Sequence, residues 1–302
     1  MIKILENEKL APYTSWLIGG VADYFCLPKS VEELKEAWTW AESQNLPVTW
    51  FGGGTNLLVS DLGVRGLTIC LRQFSEIKTS VENNNLKIKC LSGTAKSELL
   101  KVFLKQQLAP ALFLAGLPGD VGGGIVMNAG VAESFKPREF GELVESFKVL
   151  RRESGKFNES TYYHHDVKWS YRHCHGWGPG IITEVVLNWP LEKQEGILHS
   201  VKEANKSRLV KQPLDWPSCG SVFINPPQHK AAQLIEACGL KGFQIGDAQV
   251  SKKHSNFIIN LGKATAADTW AVIQHVKKTV LSMQGVDLNT EVVRIGDWSG
   301  TG

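Results

Sequence analysis

Apolar and polar positions along this chain follow patterns that predict both strands and helices. Apolar or alternating runs predict strands at 22–27, 47–51, 78–81, 86–90, 144–152, 180–188, 257–261 and 286–295. Helical spacing predicts helices at about 30–44, 96–108, 191–212, 229–238 and 265–284. Strands and helices are mixed without a strict βαβ rhythm, and this mixture favours an α+β fold.

Two of the predicted helices begin with a recognisable cap. Ser30 is followed three residues later by Glu33, the spacing of a capping box in which two side chains satisfy amides of the first turn. Thr265 and Asp268 repeat that spacing at the start of the last helix. Asn83–Asn85 predicts the turn between two strands.

Composition and charge narrow the class of protein. The chain has 302 residues, enough for two or three domains, and its 43% apolar and 21% charged residues are ordinary for a soluble protein. The net charge of +3 is too small to indicate a nucleic acid or a membrane surface as partner. No apolar run reaches about 18 residues, so no membrane span is expected.

Location follows from the first residues and from the cysteines. The opening residues contain acidic side chains and no apolar segment of the secretory type. The six cysteines are scattered without CxxC spacing, which indicates reduced thiols. We therefore expect a cytoplasmic protein.

Glycines are concentrated in two stretches. The first, Gly52–Gly54, follows a predicted strand, and successive backbone amides in such a turn form an anion-binding concavity. Thr55 and Asn56 add side-chain donors. The stretch is neither GxxxxGK[ST] nor a GxGxxG that opens a helix, because strand-like residues follow it. A tight structural turn is the alternative interpretation.

The second stretch, 116–130, holds six glycines in fifteen residues. So many glycines would be a costly choice for a simple linker. Two glycine-rich loops in adjacent segments together suggest that the pyrophosphate of a dinucleotide lies between them.

Polar candidates for chemistry lie further along the chain. Arg172 can bind a carboxylate through two parallel hydrogen bonds, although a surface ion pair is the alternative. Ser221 and Cys219 are candidate proton donors, and the absence of GxSxG argues against a hydrolase nucleophile. Glu291 has a solvated strand-face charge as its alternative. Histidines and a cysteine near Arg172 match no zinc spacing, so no metal is expected: they are His164, His165, His173, Cys174 and His175.

These motifs, in this order, resemble the UDP-N-acetylenolpyruvoylglucosamine reductase family nearly from end to end. The short spacing between Asn128 and Tyr171 resembles the subclass that lacks an extra substrate-capping loop. The similar pieces are Thr14–Asp23, Gly52–Val59, Gly116–Gly123, Met127–Gly130, Tyr171–Arg172, Cys219–Phe223, Asn225–Pro226, Gly239–Gly242 and Gly246–Ser251.

The resemblance implies a vanillyl-alcohol-oxidase-type, PCMH-like fold, in which a two-part FAD-binding domain precedes a smaller α/β substrate-binding domain. The two FAD-binding parts would be 1–75 and 76–207, with FAD between them, and the substrate domain would be 208–285. The strand within 286–302 would pack near the active site. Cofactor-binding residues would be Gly52, Gly53, Gly54, Thr55, Asn56, Leu57, Gly119, Gly122, Gly123 and Asn128.

The implied activity is reduction of UDP-N-acetylglucosamine enolpyruvate to UDP-N-acetylmuramate, a step of peptidoglycan synthesis, with FAD as cofactor and NADPH as hydride donor. Arg172 would stabilise the charge that develops on the substrate carboxyl group, and Glu291 would polarise that group as a protonated donor. Ser221 would donate a proton to C2. Substrate contacts would come from Tyr171, Lys211, Asn225 and His254. We expect a monomer whose partners are the UDP-sugar and NADPH.

Four positions depart from the family pattern. Ile224 stands where Lys is usual, Cys174 where Ser is usual, and Asn289 where Glu is common. Asp120 stands where a small or neutral residue is usual, close to a pyrophosphate that its charge would repel. Two alternatives therefore stay open: a flavin oxidase of the same superfamily with another substrate, and a nucleotide-binding protein that has lost catalysis.

Overall fold

The structure is a computed structural model that describes residues 2–131 and 136–299. Its strands are β1 (Leu5–Lys9), β2 (Val21–Cys26), β3 (Val48–Phe51), β4 (Leu57–Val59), β5 (Val64–Cys70), β6 (Ile77–Glu82), β7 (Asn85–Leu91), β8 (Val144–Glu153), β9 (Lys156–Tyr163), β10 (Lys168–Ser170), β11 (His173–His175), β12 (Ile181–Pro190), β13 (Gln244–Ile245), β14 (Ala248–Val250), β15 (Ile258–Asn260) and β16 (Val293–Ile295). Its helices are α1 (Val31–Ser43), α2 (Lys96–Lys105), α3 (Pro110–Leu114), α4 (Val121–Val126), α5 (Ile197–Lys211), α6 (Ala231–Ala237) and α7 (Ala266–Gln284). The predicted α+β class is confirmed.

The chain forms two compact units, each built from separated parts of the sequence. The described residues of unit one fall within 2–4, Cys26–Gly53 and Ile69–Ser207, and those of unit two within Leu5–Phe25, Gly54–Thr68 and 208–299. None of the helices in the described residues combines the length and the apolar character that a membrane crossing requires.

Unit one is organised around an antiparallel five-stranded sheet with the order β6-β7-β12-β8-β9. Strand β7 alternates as its sequence predicts, so that Leu86, Ile88 and Cys90 are buried. The two-residue turn before it places Asn83 and Asn84 at positive φ, a conformation that asparagine tolerates and that suits a tight hairpin. The sheet thereby presents one apolar face to the helices of this unit.

Unit two packs α6, α7 and the sheet β13-β14-β15 around a second apolar core. Helix α7 contributes a buried stripe that includes Val272, Val276 and Val280. Trp16, from the first part of the chain, joins this core, and its indole Nε1 donates to the Ile258 carbonyl at 2.7 Å.

Several predicted elements differ from those observed. The helix expected over 96–108 ends at Lys105, because Gln107 lies at positive φ. A separate helix, α3, then starts at Pro110. The 191–212 helix starts only at Ile197, directly after Gly196, which lies at φ 73°. The strand expected over 286–295 is reduced to β16, because its parallel partner β4 has only three residues.

The predicted cap of α1 is half formed, whereas that of α7 is complete. Ser30 accepts from the Glu33 amide, but the Glu33 carboxylate accepts from the Lys29 amide instead of the Ser30 amide. Thr265 and Asp268 make both reciprocal bonds of a capping box.

Asp61 supplies a second cap to α7 that the sequence pattern did not reveal. Its two carboxylate oxygens accept from the amides of Ala266 at 2.8 Å and Ala267 at 2.9 Å. A carboxylate at this end of a helix also interacts favourably with the helix dipole. Asp61 therefore ties the segment after β4 to the last helix of unit two.

We predict that Asp61→Ala lowers the free energy of unfolding by about 1–2 kcal/mol, because two amides of the first helical turn lose their acceptor. A urea titration of the purified protein measures the change. Asp215→Ala, at an exposed position of the same unit, is the matched control and should change stability by less than about 0.5 kcal/mol. Equal effects of the two substitutions would contradict the capping role.

Lys96, the first residue of α2, is a buried cation in unit one. Its side chain is 3% exposed, its ammonium donates to the Pro118 carbonyl at 2.9 Å, and it lies 5.7 Å from the ring centre of Phe140. Burial lowers the pKa of Lys96 to about 8, and the carboxylate of Asp120 partly opposes the shift.

This pKa predicts a pH dependence of stability. Between the folded-state pKa of about 8 and the ordinary value of 10.5, the unfolded chain binds more protons at Lys96 than the folded chain does. The contribution of Lys96 to the free energy of unfolding therefore rises with pH across that window, by about 2 kcal/mol between pH 8 and pH 10.

Urea titrations of wild type and Lys96→Met over this range measure the effect. The stability difference should move in favour of wild type as the pH rises. Lys105→Met, at the exposed last residue of the same helix, should show a constant difference from wild type. A constant difference for Lys96→Met as well would refute the lowered pKa.

Candidate active site

The first glycine loop connects β3 to β4 and requires glycine at its centre. Gly54 lies at φ 66°, and a Cβ at this position would overlap the Tyr13 carbonyl oxygen. A Cβ on Gly53 would lie 3.1 Å from the Cα of Gly119, in the second glycine loop. The two glycine loops predicted to act together therefore meet within unit one through Gly53 and Gly119.

The second loop is fastened to the segment that leads into α2. The Val121 amide donates to the Thr94 carbonyl at 3.0 Å, and the Gly122 amide donates to the Ser92 carbonyl at 2.7 Å. A Cβ on Gly122 would lie 2.9 Å from the Cβ of Ser92, so the close approach excludes a side chain. The sequence pattern did not predict that helix α4 begins inside this stretch.

Asp120 is the N-cap of α4 and joins the two loops. Its carboxylate accepts from the Gly123 amide at 2.6 Å and from the Gly53 amide. Backbone amides of both loops thus point at the oxygens of one anion, which is the donor arrangement that a diphosphate needs. The loops fit the chemistry of the FAD pyrophosphate, and a side chain of the protein uses two of their amides.

The far half of the first loop is bound to the C-terminal segment within unit two. The Asn56 side-chain amide donates to the Glu291 carbonyl at 2.8 Å, and the Val293 amide donates to the Asn56 carbonyl at 3.0 Å. Leu57 opens the parallel pairing of β4 with β16. Thr55 is half-buried between these anchored positions. The loop proposed to hold cofactor therefore also fixes the backbone of Glu291.

Arg172 lies at the tip of the β10–β11 hairpin, where Tyr171 and Arg172 are the two turn residues. Arg172 adopts φ 59°, and its guanidinium carbon lies 4.7 Å from the centre of the Tyr171 ring. One of its nitrogens is 3.0 Å from where a Cβ of Gly130 would be. Gly130 therefore leaves space for the guanidinium, and the ring of Tyr171, 46% exposed, limits its orientation.

Asn128 holds this hairpin in place. The residue is fully buried, and its side-chain amide donates to Glu139 at 2.8 Å and to the Ser170 carbonyl at 3.0 Å. Its side-chain oxygen accepts from the Gly141 amide at 3.0 Å. The bond to the Ser170 carbonyl positions the residue that precedes the turn.

Glu291 is bound within unit two to the segment that follows Ser221. The Glu291 amide donates to the carbonyl of Val222, the residue after Ser221, at 2.8 Å. Asn256 supports the same segment, since it accepts from the Phe223 amide and donates to the Phe223 carbonyl, both at 2.9 Å. The sequence pattern gave no indication of Asn256, because an isolated asparagine carries no distinctive spacing.

Cys219 is the less suitable of the two candidate proton donors. Its side chain is buried, and burial together with the nearby Glu291 carboxyl group raises the pKa of the thiol above its usual range. The carboxyl group of Glu291 therefore acts electrostatically on the loop that carries Cys219 and Ser221.

The candidate substrate residues of unit two are spread over separate elements. Lys211 is the exposed last residue of α5. Asn225 accepts from the Ala231 amide at 3.0 Å and so supports the start of α6. His254 is half-buried against the ring of Phe257, and burial lowers the pKa of its imidazole, which favours the neutral form.

Three of the departures from the family pattern occupy different environments. Cys174 is buried in the core of unit one, where burial raises its thiol pKa to about 11, so an apolar side chain suits the position. Asn289 is exposed and accepts from the Ile224 amide at 2.9 Å through its carbonyl. Nothing in residues 2–131 and 136–299 explains why Ile224 stands in place of lysine.

The histidines near Arg172 make ring contacts. The ring centres of His173 and His175 lie 3.9 Å apart, and His164 stacks on Trp169 with 5.5 Å between ring centres. Within residues 2–131 and 136–299, no three His, Cys, Asp or Glu side chains are grouped as a metal ion would require.

Comparison with known proteins identifies the relatives of this chain. The family model for the C-terminal domain of UDP-N-acetylenolpyruvoylglucosamine reductase matches residues 212–295, and the model for an FAD binding domain matches residues 22–160. The reductases named for this activity from Lactiplantibacillus plantarum and Pediococcus pentosaceus are 41% and 38% identical to the chain. Each alignment covers 98% of this chain and 95% of the relative.

Solved structures agree with this assignment. The UDP-N-acetylenolpyruvylglucosamine reductase of Thermus caldophilus superimposes with a TM-score of 0.75 and 30% identity, over 97% of this chain and 98% of that one. Aclacinomycin oxidoreductase, at 12% identity and a TM-score of 0.50 over 96% of this chain and 63% of that one, shares the fold. The predicted fold class and the FAD cofactor are confirmed. The chain belongs to the UDP-N-acetylenolpyruvoylglucosamine reductase family of FAD-binding oxidoreductases.

Proposed function

We propose that this protein reduces UDP-N-acetylglucosamine enolpyruvate to UDP-N-acetylmuramate, with NADPH as the hydride donor. The observation that carries the proposal is the backbone bond between Glu291 and Val222, the residue after Ser221, in a chain related to these reductases over nearly its whole length. When bound, FAD supplies hydride transfer from the nicotinamide donor to C3 of the enolpyruvyl group.

Arg172 is assigned to the substrate carboxyl group. Addition of hydride at C3 leaves an electron pair at C2 that is delocalised onto the carboxyl oxygens. A guanidinium held in a fixed orientation stabilises that charge as it develops. The positive φ of Arg172 and the Tyr171 ring support this role, because they restrict the orientation of the guanidinium. Gly130 supports it by leaving space for the guanidinium. We assign Asn128 a positioning role, through its bond to Ser170.

Ser221 is assigned as the acid that delivers a proton to C2. The acid must lie at a fixed distance from a carbon that becomes basic only during the reaction. The two residues that follow Ser221 are held by hydrogen bonds, and these support such a fixed position. The Glu291 amide donates to the Val222 carbonyl, and Asn256 binds both backbone groups of Phe223. Glu291 is assigned to polarise the carboxyl group as a protonated donor.

The remaining assignments belong to the same proposal. Tyr171, Lys211, Asn225 and His254 would contact the UDP-sugar, and the amides of both glycine loops would bind the FAD pyrophosphate. We further propose a cytoplasmic monomer, and a division of the chain near residues 75, 207 and 285.

Anaerobic stopped-flow at the flavin absorbance band tests the reaction. The protein is first reduced with NADPH and then mixed with UDP-N-acetylglucosamine enolpyruvate, and rapid reoxidation of the flavin is expected. A flavin that stays reduced until oxygen is admitted would show that the substrate is a different one.

We predict that Ser221→Ala leaves the reduction of flavin by NADPH near normal and slows reoxidation by the enolpyruvyl substrate by ~10²–10⁴, the range for loss of a positioned acid. The same instrument follows both half-reactions. Ser218→Ala, at a half-buried serine of the same loop, should leave both rates near wild type. Equal slowing of both half-reactions by Ser221→Ala would remove the acid role.

We predict that Glu291→Gln slows the second half-reaction and spares the first, because the amide cannot provide an acidic proton to the substrate carboxyl group. The backbone contacts of Glu291 are unaffected by this substitution, so the effect reports the side chain. Glu236→Gln, at an exposed residue paired with Lys241 in the same unit, is the control. Unchanged turnover in Glu291→Gln would exclude the residue from the mechanism.

A further inference from the structure

Asp120 places a negative charge at the loops proposed to bind a diphosphate. The residue is buried, with 5% of its surface exposed, and its carboxylate accepts from the amides of Gly53 and Gly123. An amide that donates to Asp120 cannot at the same time donate a full hydrogen bond to a phosphate oxygen. The bond to the Gly123 amide caps helix α4. The bond to the Gly53 amide, in the loop between β3 and β4, is additional to that capping role.

The packing around the carboxylate shows that it lies directly on the first loop. The three atoms nearest to a Cβ built on Gly52 all belong to the Asp120 carboxyl group, and a side chain at Gly52 would overlap them. The backbone of Gly52 does not have a positive φ. Asp120 therefore occupies the space beside this loop, and a smaller residue at position 120 would leave that space open.

Lys96 explains how a buried carboxylate is tolerated there. Its ammonium acts electrostatically on Asp120 and is itself held by the Pro118 carbonyl of the second loop. A buried charge generally requires an opposite charge or several hydrogen bonds. Asp120 has both, so the buried carboxylate is accommodated beside the first loop.

We propose that Asp120 is an internal anion that occupies the amides of the glycine loops and must release Gly53 before the FAD pyrophosphate can bind. This inference rests on the proposed position of the pyrophosphate at the two loops. The carboxylate lowers the affinity for FAD and accelerates its release, because it competes for donors and repels the phosphates. FAD is therefore held less tightly than the loops alone would allow.

The test uses protein from which flavin has been removed, and it measures the dissociation constant of FAD from the quenching of flavin fluorescence. Asp120→Asn keeps the size and an oxygen acceptor but removes the charge, and Asp120→Ser retains a hydroxyl that can cap α4. Both should bind FAD about tenfold or more tightly and release it more slowly on dilution. Riboflavin, which has no phosphate, should bind wild type and variants alike.

Asp166→Asn is the matched control. The carboxylate of Asp166 also accepts a backbone amide, that of Tyr163 at 2.8 Å, but belongs to a different turn of unit one. Its FAD dissociation constant should stay within about twofold of wild type. Unchanged or weaker FAD binding by both Asp120 variants, with wild-type thermal stability, would overturn the proposal.

Gly53→Ala distinguishes failure of this inference from failure of the proposed pyrophosphate position. A Cβ at Gly53 would lie 3.1 Å from Gly119 and would push the loops apart. If Gly53→Ala weakens FAD binding while the Asp120 variants match wild type, the loops hold the pyrophosphate and Asp120 does not compete. If neither position affects FAD affinity, the pyrophosphate is bound elsewhere, and both statements are wrong.

Discussion

The close approach of two glycine loops is the constraint on which the proposed cofactor site of unit one depends. Gly53 can reach Gly119, and Gly122 can reach Ser92, only because side chains are missing at these points. Backbone amides then become the main hydrogen-bond donors of the surface, and amide donors in such an arrangement attract anions. The same constraint explains how a single carboxylate, at Asp120, can accept from amides of both loops.

The proposed catalytic groups depend on a comparable use of backbone contacts. Arg172 lies in a turn and Ser221 in an irregular segment, so neither belongs to a regular strand or helix. Buried asparagines compensate for this irregularity: Asn128 binds the residue before one turn, and Asn256 binds the segment that follows Ser221. An asparagine can donate and accept at once, so a single side chain fixes two backbone groups. These bonds fix the backbone next to Arg172 and Ser221, the proposed catalytic residues that lie outside regular strands and helices.

Local signals in the sequence were sufficient for elements whose causes are local. The capping box of α7, the Asn83–Asn84 turn and the alternation of β7 depend on neighbours a few residues away, and all were predicted. Helix α4 was missed because glycine disfavours helix interiors, and the carboxylate cap and packing contacts override that preference.

Contacts between distant residues could not be predicted in this way. Asp61 caps a helix that begins 205 residues later, and the Gly53–Asp120 bond joins positions 67 residues apart. The roles expected of Arg172, Ser221 and Glu291 came from a resemblance, since their individual environments leave no pattern in the sequence. Asn256 shows the same limit, because its importance arises only from the backbone groups that surround it.

Segments of the two units alternate along the sequence, and this order has a consequence for synthesis on the ribosome. Trp16 is 1% exposed, and the groups that bury and bind it include Ile258 and Asn260, more than 240 residues later in the chain. The early segment of unit two must therefore wait, without its core, while the whole of unit one is translated and can fold. Such long sequence separations slow folding and prolong the exposure of apolar groups. Leu5–Phe25 is thus made well before the residues that pack against it, and chaperones can bind it in the interval.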